Sequence, residues 1–146
     1  MTVFLNPSIE EIKNILEDSK TIAVIGLSPK PKRPSHYVSK AMQEFGYRII
    51  PVRPMADKIL GEKVFADLES IPPELRATID VVDVFRAADK IAPIIDACIA
   101  AKVPVIWLQD GVINEAEALR AQAAGITVIM DRCIYRDYLR LLSAET

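Results

Sequence analysis

Thr21 to Leu27, TIAVIGL, is an apolar run with no residue in its interior that would break a strand ladder. Its length and its Val/Ile content are those of a strand buried on both faces, the kind found in a parallel sheet with helices above and below it. It predicts the central strand of such a sheet. At Gly26 the run gives way to a basic, proline-rich turn, Ser28-Pro29-Lys30-Pro31-Lys32-Arg33-Pro34-Ser35. An amphipathic segment follows, His36 to Phe45, with Val38, Ala41, Met42 and Phe45 on one helical face. Strand, loop and helix start in that order make an anion site, because the first N–H groups of a helix lack partners and its dipole is positive there. Lys30, Lys32 and Arg33 add positive charge beside it. The expected ligand carries phosphate.

The rest of the chain repeats the alternation. Ser8 is placed to cap a leading helix at about 8–18, with Glu11 three residues on and Ile9, Ile12, Ile15 and Leu16 as its apolar stripe, and this helix is expected to pack across the sheet. Gly46 ends the helix after the turn, and Tyr47 to Val52 predicts a second strand, closed by Arg53-Pro54. Ala56 to Leu68 is expected to hold a short helical turn and then a short extended segment. Asp67 to Pro73 reads as a brief helix or turn. A third strand spans Ile79 to Phe85, and a helix from Ala87 to Ala101 follows, with Pro93 early in it, where a missing N–H costs least. Val103 to Leu108 is the fourth strand. Asn114 caps a helix over Glu115 to Ala124, Gly125 closes it, Ile126 to Met130 is the fifth strand, and Ile134 to Leu142 the last helix. Spacing of this kind predicts an α/β fold, a doubly wound, mainly parallel five-stranded sheet with helices on both faces and right-handed crossovers. There is no internal repeat, low-complexity tract or linker.

With 146 residues the chain fits one domain over 1–146, with its core at about 20–142, large enough to fold without staples. Hydrophobic residues make up 51% and charged residues 26%, which sets the chain apart from disordered ones. A net charge of -2 gives no global reason to expect nucleic acid, so any basic site is local. No apolar run approaches the roughly 20 residues of a membrane helix, and the N-terminus lacks a signal-peptide core. The expectation is a cytoplasmic protein without membrane contact. Two cysteines at unrelated positions and a single histidine argue against a disulfide framework and a metal site.

Ligands of such sheets bind beyond the carboxyl ends of the strands, where the strand order reverses. Those ends are Gly26-Leu27-Ser28, Pro51-Val52-Arg53-Pro54, Phe85-Arg86, Gln109-Asp110-Gly111 and Asp131-Arg132-Cys133. A dinucleotide fingerprint would require G-x-G-x-x-G after the first strand, and the chain offers a single glycine of that pattern. Unmodified NAD also wants an acid near the end of strand two, where this chain has Arg53. Lys30, Lys32, Arg33 and Arg53 suit a ligand with an additional ribose phosphate. NADP and coenzyme A both qualify on these grounds.

The ordered segments GLSPKPKRPS, GYRIIPVRP, ILGEKVFADL, DVVDVF, VIWLQDGV and VIMDRC resemble the small stand-alone CoA-binding proteins. They are similar, too, to the CoA-binding domain that opens the succinyl-CoA synthetase alpha chain. The resemblance covers roughly Thr21 to Leu141. It implies a Rossmann-like fold and a site for the phosphorylated ADP part of coenzyme A or an acyl-CoA around Gly26, Leu27, Ser28, Lys30, Lys32, Arg33 and Ser35. Pro51, Val52 and Pro54 are implied beside the adenosine, Phe85 and Arg86 after strand three, and Gln109 and Gly111 at the pantetheine exit. Arg53 departs from the family's usual asparagine, where it either adds a phosphate contact or obstructs the adenosine. The synthetase's catalytic histidine lies in a domain that has no counterpart in these residues, so ligase chemistry does not carry over.

Blander roles compete for several of these residues. Ser35 is expected to cap the helix, His36 to be a surface residue at the helix start, Cys98 to fill core and Trp107 to fill a strand. Cys133, at a strand end before a helix, is a candidate thiol whose pKa the dipole and Arg132 would lower, and a mixed disulfide with CoA would follow from that. Three functions are compatible: a CoA or acyl-CoA binding module without catalysis, an enzyme acting on a CoA thioester through Cys133 or Asp131, and an NADP-binding redox protein. The first leads, because no nucleophile, base and orienting group assemble from these residues. Free sheet edges make a homodimer or another protein partner plausible.

Overall fold

The computed structural model describes residues 3–142. In chain order the first half runs α1 (Ile9–Asp18), β1 (Thr21–Ile25), α2 (Pro34–Glu44), β2 (Arg48–Val52), β3 (Lys58–Ile59), β4 (Glu62–Lys63) and α3 (Pro73–Arg76). The second half runs β5 (Val81–Val84), α4 (Ala92–Ala101), β6 (Val105–Leu108), α5 (Glu115–Ala123), β7 (Thr127–Met130) and α6 (Ile134–Leu141). Five strands form a parallel sheet in the order β2-β1-β5-β6-β7. The order reverses between β1 and β5. This is the doubly wound α/β architecture that the alternation predicts.

The strands of the sheet are mainly apolar on both faces because each face is covered. Ala23, Ile25, Val82, Val84, Ile106, Leu108 and Val128 face α4 and α5, which bring Ile95, Cys98, Ala118 and Ala121 to the same cluster. Ile22, Val24, Val81, Trp107 and Ile129 face α1, α2 and α6, through Ile12, Leu16, Val38, Met42 and Ile134. The leading helix therefore packs on the sheet, beside α6, as expected. Trp107 is fully buried strand filling, with its Nε1–H donated to the Arg132 carbonyl at 2.8 Å. Ser8 and Asn114 cap α1 and α5, their side chains accepting from the Glu11 and Glu117 N–H groups. No helix among the described residues is long and apolar enough to cross a membrane.

Two segments depart from the sequence expectation. The helical turn expected after Ala56 is instead a two-stranded antiparallel hairpin, β3 with β4, whose turn residues Leu60 and Gly61 have φ of 54° and 77°. Two successive left-handed residues match the twist of paired strands, and a leucine in the first of them gives no sequence signal. Phe65 then bridges to Val52 and returns the chain to the sheet. The helix expected from Ala87 starts as an α-helix only at Ala92, after a 3-10 turn over Ala88–Lys90. Pro93 sets that boundary: its ring would clash with the carbonyl four residues back, so it occupies the first turn.

Candidate functional site

The reversal between β1 and β5 brings two loops into contact. Gly26 has φ of 88°, and a Cβ there would lie 2.4 Å from the Phe85 carbonyl oxygen, so no side chain fits at that position. Its N–H donates to the Val52 carbonyl at 2.9 Å, and the Phe85 N–H to that of Ile25 at 2.9 Å. The ends of β1, β2 and β5 thus meet at one point.

From there the basic turn is held by side chains of the helix it feeds. The Ser28 N–H donates to Ser35 Oγ at 2.9 Å, and the Lys30 N–H to Ser28 Oγ at 3.1 Å. His36 Nδ1 lies 2.9 Å from the Ser28 carbonyl oxygen. Two expectations are corrected here. Ser35 is not the cap of α2: Arg33 occupies that position, without a side-chain cap bond, and Pro34 is the first helical residue. His36 is buried rather than on the surface, because its ring braces the loop.

Two cavities flank the meeting point. The larger, about 940 Å³, is walled on one side by Ser28, Lys30, Arg33 and Ser35, and on the other by Gln109, Cys133, Tyr135, Arg136 and Leu139. The smaller, about 530 Å³, lies between Val52, Pro54, the segment 66–69, Lys90, Ile94 and Ala97. Gly26, Arg53, Phe85 and Arg86 line both and form the isthmus between them. Arg53 Nε donates to the Pro54 carbonyl at 3.2 Å. Among the described residues no ion pair engages Lys30, Arg33, Arg53 or Arg86. The isthmus and its loop thus carry four cations outside any ion pair, and Asp67 and Glu69 stand on the wall of the smaller cavity.

Of the residues expected at the site, four stand outside both cavity walls. Leu27 is fully buried in the core beneath the loop, Pro51 is buried within β2, and Lys32 is exposed. The Gly111 N–H is spent on Asp131 Oδ1, at 2.8 Å. The structure adds Tyr37, Val112 and three residues of α6, namely Tyr135, Arg136 and Leu139. Arg136 forms a bidentate pair with Asp110 at 2.8 and 2.9 Å, which holds the Asp110 carboxyl below its ordinary range.

The lowered pKa expected for Cys133 is overturned. Burial pushes this thiol up, against the smaller pull of the Arg136 and Tyr135 backbone N–H groups, and the Arg132 guanidinium is committed to Asp137 at 2.7 and 2.8 Å. Cys98 is core, as expected, with burial raising its pKa to about 12.

Beneath the larger cavity lies a residue that sequence reasoning missed. Asp83, in the middle of β5, is 1% exposed, and its Oδ1 accepts from Gln109 Nε2 at 2.5 Å. Burial raises its pKa to about 7, the amide bond pulling the other way. The one sequence signal for it is an acid in the otherwise apolar strand VVDV.

Comparison with known proteins gives this geometry a context. A family profile described as "CoA binding domain" matches residues 20–138. The chain is 46% identical over 129 residues to the uncharacterized protein YneT of Bacillus subtilis, covering 88% of this chain and 93% of that one. A hypothetical protein from Pyrococcus horikoshii superposes with a TM-score of 0.87 at 32% identity, over 97% of this chain and 99% of that one. A structure from Thermus thermophilus matches with a TM-score of 0.83 at 34% identity, over 93% and 100%.

Proposed function

The chain belongs to the CoA-binding domain family, and from that premise we propose that it binds coenzyme A or an acyl-CoA across the isthmus between its two cavities. The phosphates lie against the turn from Ser28 to Ser35 and the start of α2, where Lys30, Arg33, Arg53 and Arg86 surround them. The adenosine occupies the smaller cavity, whose floor is apolar at Val52, Leu68, Ile94 and Ala97. The pantetheine arm runs through the larger one past Gln109 toward Cys133.

The observation that carries this reading is the pair of cavities joined at Gly26, Arg53, Phe85 and Arg86. A ligand with two dissimilar halves and a multiply charged middle matches that layout. A dinucleotide is disfavoured by the single glycine of the first turn. Binding without catalysis is favoured over a thioester enzyme because burial keeps the Cys133 thiol protonated near neutrality.

Calorimetric titration with CoA, dephospho-CoA and NADP tests the reading. CoA is expected to bind, dephospho-CoA to bind more weakly and NADP weakest. A preference for NADP over CoA would reverse the assignment.

A further inference from the structure

Gln109 follows β6 on the wall of the larger cavity, and its carboxamide is shared between that cavity and the sheet interior. Asp83 lies in register between Val24 of β1 and Trp107 of β6, on the face covered by α1, α2 and α6. An ionised carboxylate only accepts hydrogen bonds, so it can be satisfied by the Nε2 end of the amide and not by the Oε1 end. A protonated carboxyl can donate to Oε1 as well, and the amide is then free to reverse.

Resting on the CoA reading, we propose that Asp83 is a positioning residue that holds the Gln109 amide with Nε2 toward the sheet and Oε1 toward the larger cavity. At that point the wall reads an N–H donor of the ligand, such as an amide N–H of a pantetheine arm, and disfavours a carbonyl. Removing the charge of Asp83 removes the preference. Asp83 changes charge near neutrality, which makes the orientation sensitive to pH.

The flanking strands β1 and β6 carry no titratable side chain. On the covering helices the buried titratable groups are His36, bonded to the Ser28 carbonyl, and Asp137, paired with Arg132. Lys40, Glu44, Arg136 and Arg140 are exposed, as are Glu10, Glu11, Lys13, Glu17 and Asp18 of α1. Tyr47 is raised to about 12 and Cys133 is also raised, so both stay neutral where Asp83 titrates.

The test begins with the ligand-free, 15N-labelled protein, the Gln109 side-chain amide being identified by its loss in Gln109→Met. Its resonances are expected to move through a single transition between pH 5 and 9 that is absent in Asp83→Asn. An amide that does not move with pH in the wild type overturns the proposal, whatever the variants do. CoA is then titrated at pH 5.5 and 8.5. The affinity ratio between the two pH values is expected to be at least fivefold larger in the wild type than in Asp83→Asn, and equal ratios overturn the proposal. Gln109→Met, which leaves Asp83 in place, supplies the same comparison if Asp83→Asn fails to fold. Wild-type protein that binds no CoA at either pH would sink the ligand reading, and the amide transition alone would then decide the role of Asp83.

Discussion

Asp83 is where the protein gives up stability to keep a polar group under its site. A carboxyl whose folded pKa is raised, from 3.8 to about 7, binds its proton more tightly in the native state than in the unfolded one. Its contribution is therefore fully present below about pH 4 and lost as the pH rises through about 7. At roughly 1.4 kcal/mol per pKa unit the loss is on the order of 4 kcal/mol. Urea unfolding of wild type and Asp83→Asn at pH 5 and 8 is expected to show a difference between the two proteins that grows by a few kcal/mol in favour of the variant at pH 8. A difference independent of pH would mean that Asp83 ionises normally. Gly26 sets a second residue-scale limit. Gly26→Ala combines a left-handed φ with a Cβ 2.4 Å from backbone oxygen, and is expected to destabilise by on the order of 3 kcal/mol in the same assay. The glycine was legible in the sequence because a strand that stops on glycine before a helix is a recognisable pattern. Asp83 was not, because periodicity says which face a strand residue takes but not which side chain of a neighbouring strand meets it there.

At the scale of elements, the turn from Ser28 to Ser35 and α2 act as one unit, the helix supplying Ser35 Oγ and His36 Nδ1 to shape the loop that precedes it. Reading the sequence as strand, basic turn and helix found this unit, but it treated Ser35 as a cap and the three cations as equivalent. The structure separates them: Lys30 and Arg33 line the larger cavity and Lys32 lines neither. Arg33→Ala is expected to weaken CoA binding by about 1.5 to 3 kcal/mol, the range for a hydrogen bond to a charged group, and Lys32→Ala by under about 0.5 kcal/mol. Equal losses in calorimetry would mean that both act through the general field of the loop. The opposite wall came from α6, which the sequence shows only as a terminal amphipathic helix. Its residues Tyr135 and Arg136 lie about a hundred positions from the turn they face, and a pattern confined to short windows has no means of pairing them. The β3–β4 hairpin escaped for a different reason, since its turn sets a leucine where the usual signal is asparagine or glycine.

For the whole molecule, the strand order β2-β1-β5-β6-β7 puts one opening on each side of its reversal, and the two openings share only the isthmus. If CoA spans both, its halves occupy separate places and do not exclude each other. Adenosine 3′,5′-bisphosphate and pantetheine, each supplied at 100 times its own dissociation constant, then stabilise independently, by about 2.7 kcal/mol apiece and about 5.4 kcal/mol together. Two ligands that compete for one cavity would add only about 0.4 kcal/mol on mixing. At about 2 to 4 °C per kcal/mol for a domain of this size, the two outcomes differ by about 5 to 9 °C in the melting midpoint. Additive shifts are expected, with CoA binding more tightly than either fragment because its covalent link makes the second contact intramolecular. A mixture that melts with the better single fragment would confine the ligand to one cavity and leave the other without a part in binding.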